Sequence, residues 1–414
     1  MQDKRFTWIH SGQTGAPQMD GVKLSEGQLL KVLDAGLVTG FNAQNAIKAT
    51  STASTVTLTY AAGHGYELRQ LIEVNGATDT KLNGRHRVIE KTKETITLDA
   101  KGVTVFTGSI ITKIAPLGFE SMFGDTDPLK RAYRSANLQG TRTVLYLDAS
   151  LPTGHGYNTA NPSKRLMVNI CQDMTVLGTQ INSYTDAVNK KTTYKNGSLF
   201  WYQARTYTKT DPAVNVEFRP WVIVGNGDVF YLFNEWQDYN PMGNKLRDLY
   251  AFGDVTSLGG ATDQYNCLWI GAITQNDADA MYQASTGGQI GGDIDTTPIG
   301  FFIKDHTGTG TLQNFVFSTD GSAAARHTGH STEVPLIPFP NPVSQSILGF
   351  PIYTLTKKGL RALMPRLLSI PQHIQNNIAT YDLAITGNIL TVAVFYSSRT
   401  SGIENGFYAI DLGD

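Results

Sequence analysis

Carboxylates set beside aromatic rings are the first residues in this sequence that could do chemistry. In EWQDYNPMG, Glu235 and Asp238 alternate with Trp236 and Tyr239. Two acids can protonate a glycosidic oxygen and activate a water, and flat rings stack on sugars, so this string could serve glycoside hydrolysis. It also reads, more simply, as a strand end running into a polar loop. His327, His330 and Glu333 in ARHTGHSTEVP could ligate a metal, but their spacing fits no standard site and the string has the Gly/Ser/Thr content of a solvated loop. Asp125 and Asp127 in GDTDP, and Asp293 and Asp295 in GGDIDTTP, resemble pieces of a calcium loop. Neither has the glycine and distal glutamate that complete one, so both read as Asp-rich turns. Lys357, Lys358, Arg361 and Arg366 form a basic cluster that could meet anionic groups on a partner or simply face water. Cys171 and Cys267 sit in apolar strand-like runs without CxxC spacing, the pattern of buried free thiols. GxSxG, HExxH, a P-loop and a dinucleotide fingerprint after a strand are absent. The residues therefore assign no catalytic, cofactor-binding or metal-ligating position, and the expectation is a protein that is not an enzyme and needs no cofactor.

Composition narrows the function classes. Lys plus Arg is 34 and Asp plus Glu is 35 in 414 residues, a net charge of −1. With no basic excess to neutralise phosphates, nucleic-acid binding is not expected as the main task. Charged residues are 17% and hydrophobic residues 41%, with 41 glycines. A low-charge chain rich in Gly, Thr and Asn suits β-structure with many turns and surfaces that neighbours cover. The opening MQDKRFTWIHSGQTGAP lacks a basic-then-apolar leader pattern. No apolar run approaches the roughly 20 residues that span a bilayer, so membrane insertion is not expected. The expected location is the cytoplasm where the chain is made, or an assembled particle.

The elements that would position any site are mostly short strands. Residues 1–50 read as an N-terminal arm, with FTWIH as a strand, followed by one amphipathic helix. Ser25 is a rough N-cap for it, Leu29, Leu30, Leu33 and Leu37 share its face, and Gly36 and Gly40 weaken and stop it. Residues 51–115 read as a small β-barrel or sandwich of five strands. Val56, Leu58 and Tyr60 alternate with threonines, and Asn83-Gly84 reads as a tight turn. Residues 116–275 read as a larger β-rich domain. Its sharpest feature is RPWVIVGNGDVFYLF, a hairpin about Gly225-Asn226-Gly227-Asp228 amid dense aromatics. Residues 276–414 read as a mixed β region. Four prolines between Pro335 and Pro342 mark an extended segment, and Pro365 and Pro371 leave room only for a short helix. NILTVAVFYSS and GFYAIDLGD read as closing strands. The fold class expected is mainly β and multidomain, a small barrel or sandwich module placed after an N-terminal helix and followed by larger sandwich-like domains with few short helices.

Three stretches, in this order, resemble a group of structural proteins of tailed bacteriophages. The first holds Trp8, His10, Ser11, Gly15, Ala16, Pro17, Val32, Leu33, Asp34, Ala35, Gly40 and Phe41. The second is similar to a small β-module of that group at the turn positions His64, Gly76, Ala77, Thr78, Leu82, Asn83 and Gly84. The third matches at Tyr133, Arg134, Ser135, Arg219, Pro220, Trp221, Gly225, Phe230, Tyr231, Phe252, Gly253 and Asp254. The resemblance covers roughly residues 5–275, departs most over 276–414, and transfers no catalytic residue.

It implies a virion component of the tail or baseplate, acting through contacts with tail-tube, hub, baseplate or fibre subunits. A homo-oligomer of threefold or sixfold symmetry is expected with it. The arm and the segment 333–342 are candidates for interlocking with neighbouring subunits, and packing within their own chain is the competing expectation. Two other function classes stay open: receptor or glycan binding through exposed aromatics, in the 200–240 region or the small barrel, and polysaccharide or cell-wall cleavage through Glu235 or Asp238.

Overall fold

Short β-branched and aromatic runs between glycine turns dictate strands, and strands dominate the computed structural model. It describes residues 4–19, 27–104, 108–150, 165–183, 199–202, 220–239, 244–258, 265–269, 300–304, 312–318, 337–340, 346–356, 359–370, 383–398 and 402–413. The chain is mainly β with several sheets, as the sequence leads one to expect.

Strand β1 (Thr7–His10) leads to helix α1 (Gln28–Leu33), which continues as a π-helical stretch through Asp34–Thr39. Leu29, Leu30, Leu33 and Leu37 are all buried, so the apolar face is the one expected. The start differs. Gly27, in a left-handed conformation, precedes the first turn without a side-chain cap, and Ser25 lies outside the described residues. Gly36 lies within the π-helical stretch, and Gly40 follows its last residue. A Cβ on Gly36 would sit 2.8 Å from the Ile223 side chain, so the missing side chain lets this stretch pack tightly on the large sheet.

Seven strands follow: β2 (Phe41–Asn45), β3 (Lys48–Ser51), β4 (Val56–Thr59), β5 (Leu71–Asn75), β6 (Gly84–Lys91), β7 (Thr95–Leu98) and β8 (Ile111–Ile114). Their order is β2-β8-β5-β6-β7-β4-β3, and the two edge strands are consecutive in sequence. The segment Phe41–Ser51 thus pairs with β8 at one end and β4 at the other, so the sheet curls towards a barrel. The sequence leads one to expect five strands here; β2 and β3 are the two additional ones, polar and mostly exposed, without an apolar alternation to announce them. Asn83-Gly84 is not a two-residue turn. Asn83 closes the longer β5–β6 connection by donating to the Ala77 carbonyl at 2.8 Å and accepting the Ala77 N–H at 3.0 Å.

The second sheet holds β9 (Phe119–Ser121), β10 (Lys130–Ser135), β11 (Val144–Asp148), β12 (Arg165–Val176), β13 (Thr179–Ser183) and β14 (Leu199–Tyr202). The third is the largest. It joins β1 to β15 (Trp221–Gly225), β16 (Val229–Tyr239), β17 (Asn244–Ser257), β18 (Tyr265–Trp269), β19 (Gly300–Lys304), β20 (Leu312–Ser318), β21 (Ile337–Pro340), β22 (Ser346–Thr356), β23 (Gly359–Ile370), β24 (Leu383–Thr386), β25 (Ile389–Ser398) and β26 (Gly402–Asp411). The far end of β17 pairs with β23 through Thr256 and Ser257, which closes β17 to β20, β22 and β23 into a ring. Two expectations are corrected here. YTLTKKGLRALMPRLLSI is no short helix; it supplies β22 and β23, and β23 carries Pro365 within it. Pro is tolerated there because the pairing is interrupted around it: β22 meets β23 at Tyr353–Leu363 and Pro351–Leu368 with a register shift between. The prolines of IPFP join β21, paired with β22 of the same chain.

The centre of the molecule is β15 to β17. Trp221, Ile223, Phe230, Leu232, Tyr250 and Phe252 face a core shared with α1, the barrel and the second sheet. Val222, Val224, Tyr231, Phe233, Leu249 and Ala251 face a second core with Met364, Leu390, Tyr408 and Ile410. Burial on both faces is why WVIVG and VFYLF read as unbroken apolar runs. The first core crosses residue boundaries 50/51 and 115/116 without a break.

Candidate functional site

The described polar clusters sit where sheets meet. Asp254 lies on β17 beside Gly253, whose φ is 137° and whose absent Cβ would fall 2.2 Å from the Asp228 carbonyl oxygen. Only glycine lets β17 run this close to the β15–β16 hairpin, and the Asp254 N–H donates to that same carbonyl at 2.8 Å. This directs the Asp254 carboxylate at the loop 136–143, which joins β10 to β11. One carboxylate oxygen accepts the Thr141 N–H at 2.9 Å; the other accepts the Thr141 hydroxyl and, at 3.2 Å, the Asn266 Nδ2 from β18. Gly140 allows the approach, since a Cβ there would lie 2.4 Å from the carboxylate. Asp228, at the hairpin tip, accepts Asn137 Nδ2 at 2.8 Å and Ser135 Oγ at 3.4 Å. Burial pushes the Asp254 carboxyl above its usual range; the Thr141 and Asn266 hydrogen bonds oppose this and the Asp228 charge adds to it. Phe119, Phe230 and Phe252 pack beneath, with ring centroids 5.5 to 6.3 Å apart.

A second seam joins α1 to the second sheet. Asp34, where the helix widens, accepts the Tyr133 hydroxyl at 2.6 Å and Arg131 Nε at 3.0 Å. Arg131 is buried, and its guanidinium also donates to the Asp127 and Lys130 carbonyls. Asp127 Oδ1 accepts the Leu129 N–H at 2.8 Å, so GDTDP is a side-chain-closed turn.

The third junction ties both ends of the described chain to the barrel. Arg87 on β6 is 1% exposed. It donates to the carbonyls of Phe6 at 3.1 Å, Arg69 at 2.8 Å and Leu412 at 3.1 Å. Arg5 adds a bond to Asp99 at 2.9 Å. The described part of the arm is held at three further points: Thr7 Oγ1 accepts the Leu71 N–H at 2.8 Å, Trp8 Nε1 donates to Leu68 O at 2.9 Å, and Trp221 Nε1 donates to Pro17 O at 3.0 Å. For these residues of the arm the structure shows packing within the chain, the competing expectation. Burying Phe6, Trp8, Ile9 and Met19 internally leaves those side chains none to offer.

In the barrel, His64 Nδ1 accepts the Tyr66 N–H at 3.0 Å, which leaves the proton on Nε2 to donate to Thr92 O at 3.0 Å. Tyr60 and Tyr66 both meet Thr112 Oγ1, at 3.0 and 2.8 Å, and Asn42 Nδ2 donates to His64 O at 2.7 Å.

The residues singled out for chemistry do not converge. Glu235, Trp236, Asp238 and Tyr239 have their backbone in the last five residues of β16, paired with β17 across a bulge between Glu235 and Gln237, and the residues 240–243 that follow lie outside the described ones. His327, His330, Glu333, Asp293, Asp295, Lys357 and Lys358 lie outside the described residues, and Arg361 is described only as backbone in β23. Arg366 turns to the chain itself, 5.6 Å from the Phe6 ring and 3.6 Å from Asp411. Cys171 and Cys267 are buried, and neither forms a disulfide. Among the described residues no group of three His, Cys, Asp or Glu could hold a metal. No exposed large hydrophobic side chain among them is aromatic. No helix among them is long and apolar enough to cross a membrane.

The motif residues do converge, on the seams. Asp34 meets Tyr133, Ser135 meets Asp228, Phe230 meets Phe252, and Asp254 fixes the loop after Ser135. Sequence reasoning missed Arg87, Arg131 and Thr141, because a buried cation on a strand carries no periodic signal. Asp254 is visible in the sequence as a matched position of the resemblance and as a carboxylate in the run LYAFGDV, but not by its contacts.

No protein-family model matches this chain, and no curated protein matches it. Among solved structures, the phage phi92 endosialidase aligns with 90% of this chain and 51% of its own, at 8% identity and a TM-score of 0.15. The chain thus spans about half the length of that protein, and the likeness is too slight to bear on fold or activity.

Proposed function

We propose that this chain is a structural subunit of a bacteriophage virion, in the tail or baseplate, and that it works through assembly contacts and not through turnover. The observation that carries the reading is the use to which the motif residues are put. The stretches similar to phage structural proteins supply Asp34, Tyr133, Ser135 and Asp254, which tie the helix and the large sheet to the second sheet, and Gly253, which lets β17 approach the β15–β16 hairpin. A particle subunit has to transmit load between surfaces without changing shape, and a shared core crossed by buried polar ties gives that rigidity. The partners proposed are other virion proteins and further copies of the chain around a threefold or sixfold axis.

A nonsense mutation early in the reading frame tests this. The expected result is loss of infectious particles with accumulation of incomplete tails, rescued by the chain supplied in trans. Normal assembly with a defect only in adsorption would favour a receptor-binding role, and a defect only in polymer degradation would favour an enzyme; either would overturn the proposal.

A further inference from the structure

Two histidines stand where the arm meets the barrel, and each uses a ring nitrogen to hold a backbone turn. His64 is 2% exposed. Its Nδ1 accepts the Tyr66 N–H at 3.0 Å, and its Nε2 lies 3.0 Å from the Thr92 carbonyl oxygen. A backbone N–H can only donate and a carbonyl can only accept. These two partners therefore fix one neutral tautomer, with Nδ1 bare and the proton on Nε2. His10 repeats the pattern in the arm. Its Nδ1 accepts the Gly12 N–H, two residues on, at 3.2 Å, and its ring stacks on Trp8 with centroids 5.3 Å apart.

The two turns touch. Gly65 has a φ of 71°, and a Cβ on it would fall 2.6 Å from Thr14 Oγ1, so glycine lets the barrel turn lie against the arm turn. Asn42 backs the contact, donating from Nδ2 to the His64 carbonyl at 2.7 Å. The phenols of Tyr60 and Tyr66 flank the His64 ring with centroids 5.3 and 5.4 Å away, and both are neutral. Glu67 from the same loop and Lys91 from the end of β6 act on both histidines with opposite sign, and they pair with each other. Lys93, beside Thr92, passes Gly63 with its stem.

We propose that this junction is an acid-labile clasp: a second proton on His64 sets the ring Nδ1–H and the Tyr66 N–H face to face, which opens the turn 63–66 and frees the arm turn 10–16 that rests on it. A second proton on His10 acts in the same direction against the Gly12 N–H. The sign follows from linkage. The clasped state takes up the His64 proton less readily than the open state, where the imidazole has its ordinary pKa of about 6.5. The clasp is therefore complete above that value. Below it the opening equilibrium grows about tenfold per pH unit, until the clasped form titrates as well.

Amide hydrogen exchange of the full chain, corrected for the intrinsic rate, reads the two turns separately. The Tyr66 N–H reports the barrel turn, and the Ala16 N–H, which donates to Gln13 O at 3.1 Å, reports the arm turn. Leu232, in β16 between β15 and β17, reports unfolding of the whole. From about pH 7 to about pH 5, protection at Tyr66 and Ala16 should fall together and stay below that of Leu232. In His64→Asn the side-chain oxygen can accept the Tyr66 N–H and does not titrate, so protection at Tyr66 should be independent of pH. Constant protection at Tyr66 in the wild type, or the same decline in His64→Asn, would overturn the proposal. So would a decline at Tyr66 that leaves Ala16 unchanged, or protection at both turns equal to that of Leu232. Should the variant not fold, nitrogen-15 NMR of the wild-type imidazole decides. A His64 Nδ1 that gains its proton over the range in which Tyr66 loses protection supports the clasp, and a ring that keeps its single Nε2 proton through that range overturns it.

Discussion

Arg87 shows what a single residue contributes to this molecule. Its guanidinium satisfies three carbonyls, of the arm, the barrel and Leu412 just after the last strand; the bonds to Phe6 and Leu412 are buried and that to Arg69 is part-buried. Arg87→Met keeps the stem's packing but leaves those oxygens unpaired, and each buried orphan costs about 1–3 kcal/mol. We expect Arg87→Met to destabilise the protein by about 3 kcal/mol in urea unfolding, and Arg87→Lys, with one point charge for three acceptors, to recover only part of it. His64 makes a pH-dependent contribution. Burial lowers its pKa, with the Thr92 and Thr95 carbonyls partly opposing, so the folded state prefers neutral imidazole. The unfolded state then binds the proton more readily. The His64 contribution is complete above about pH 6.5 and declines as pH falls below it towards the lowered folded value. Unfolding measured from pH 7 to pH 5 should show a steeper loss in the wild type than in His64→Asn; equal slopes would remove His64 from the account.

At the scale of elements, the arm strand β1 is the most consequential. Trp8 is 4% exposed, packs into the core on one face of the large sheet, and donates its indole N–H to the barrel. Trp8→Ala should cost about 3–5 kcal/mol, read as a lower urea midpoint with an unchanged slope. Much at this scale was legible in the sequence. FTWIH, the Val56-Leu58-Tyr60 alternation, the Gly225–Asp228 hairpin and the closing strand pair are all present. The failures have specific physical causes. The polar strands β2 and β3 have no apolar face to betray them and are fixed by the barrel edges they border. Pro365 misled because it was read as cutting short a helix; a proline inside a strand is rare, and here the register shift opposite it makes room. The candidate site was legible as motif residues but not as contacts, since the partner of Asp34 is 99 residues away and that of Asp254 is 113.

For the whole molecule, three sheets share cores that run from the arm to the last strand, with buried polar ties at each seam. That arrangement suits a subunit whose task is to hold shape, and it leaves function to the surfaces it presents. The most direct test is quantitative mass spectrometry of gradient-purified particles. The account predicts this chain in every particle, at a fixed copy number that is a multiple of three relative to the tail-tube protein. Its absence from purified particles, or a variable trace amount that salt washes away, would contradict the assignment to the virion.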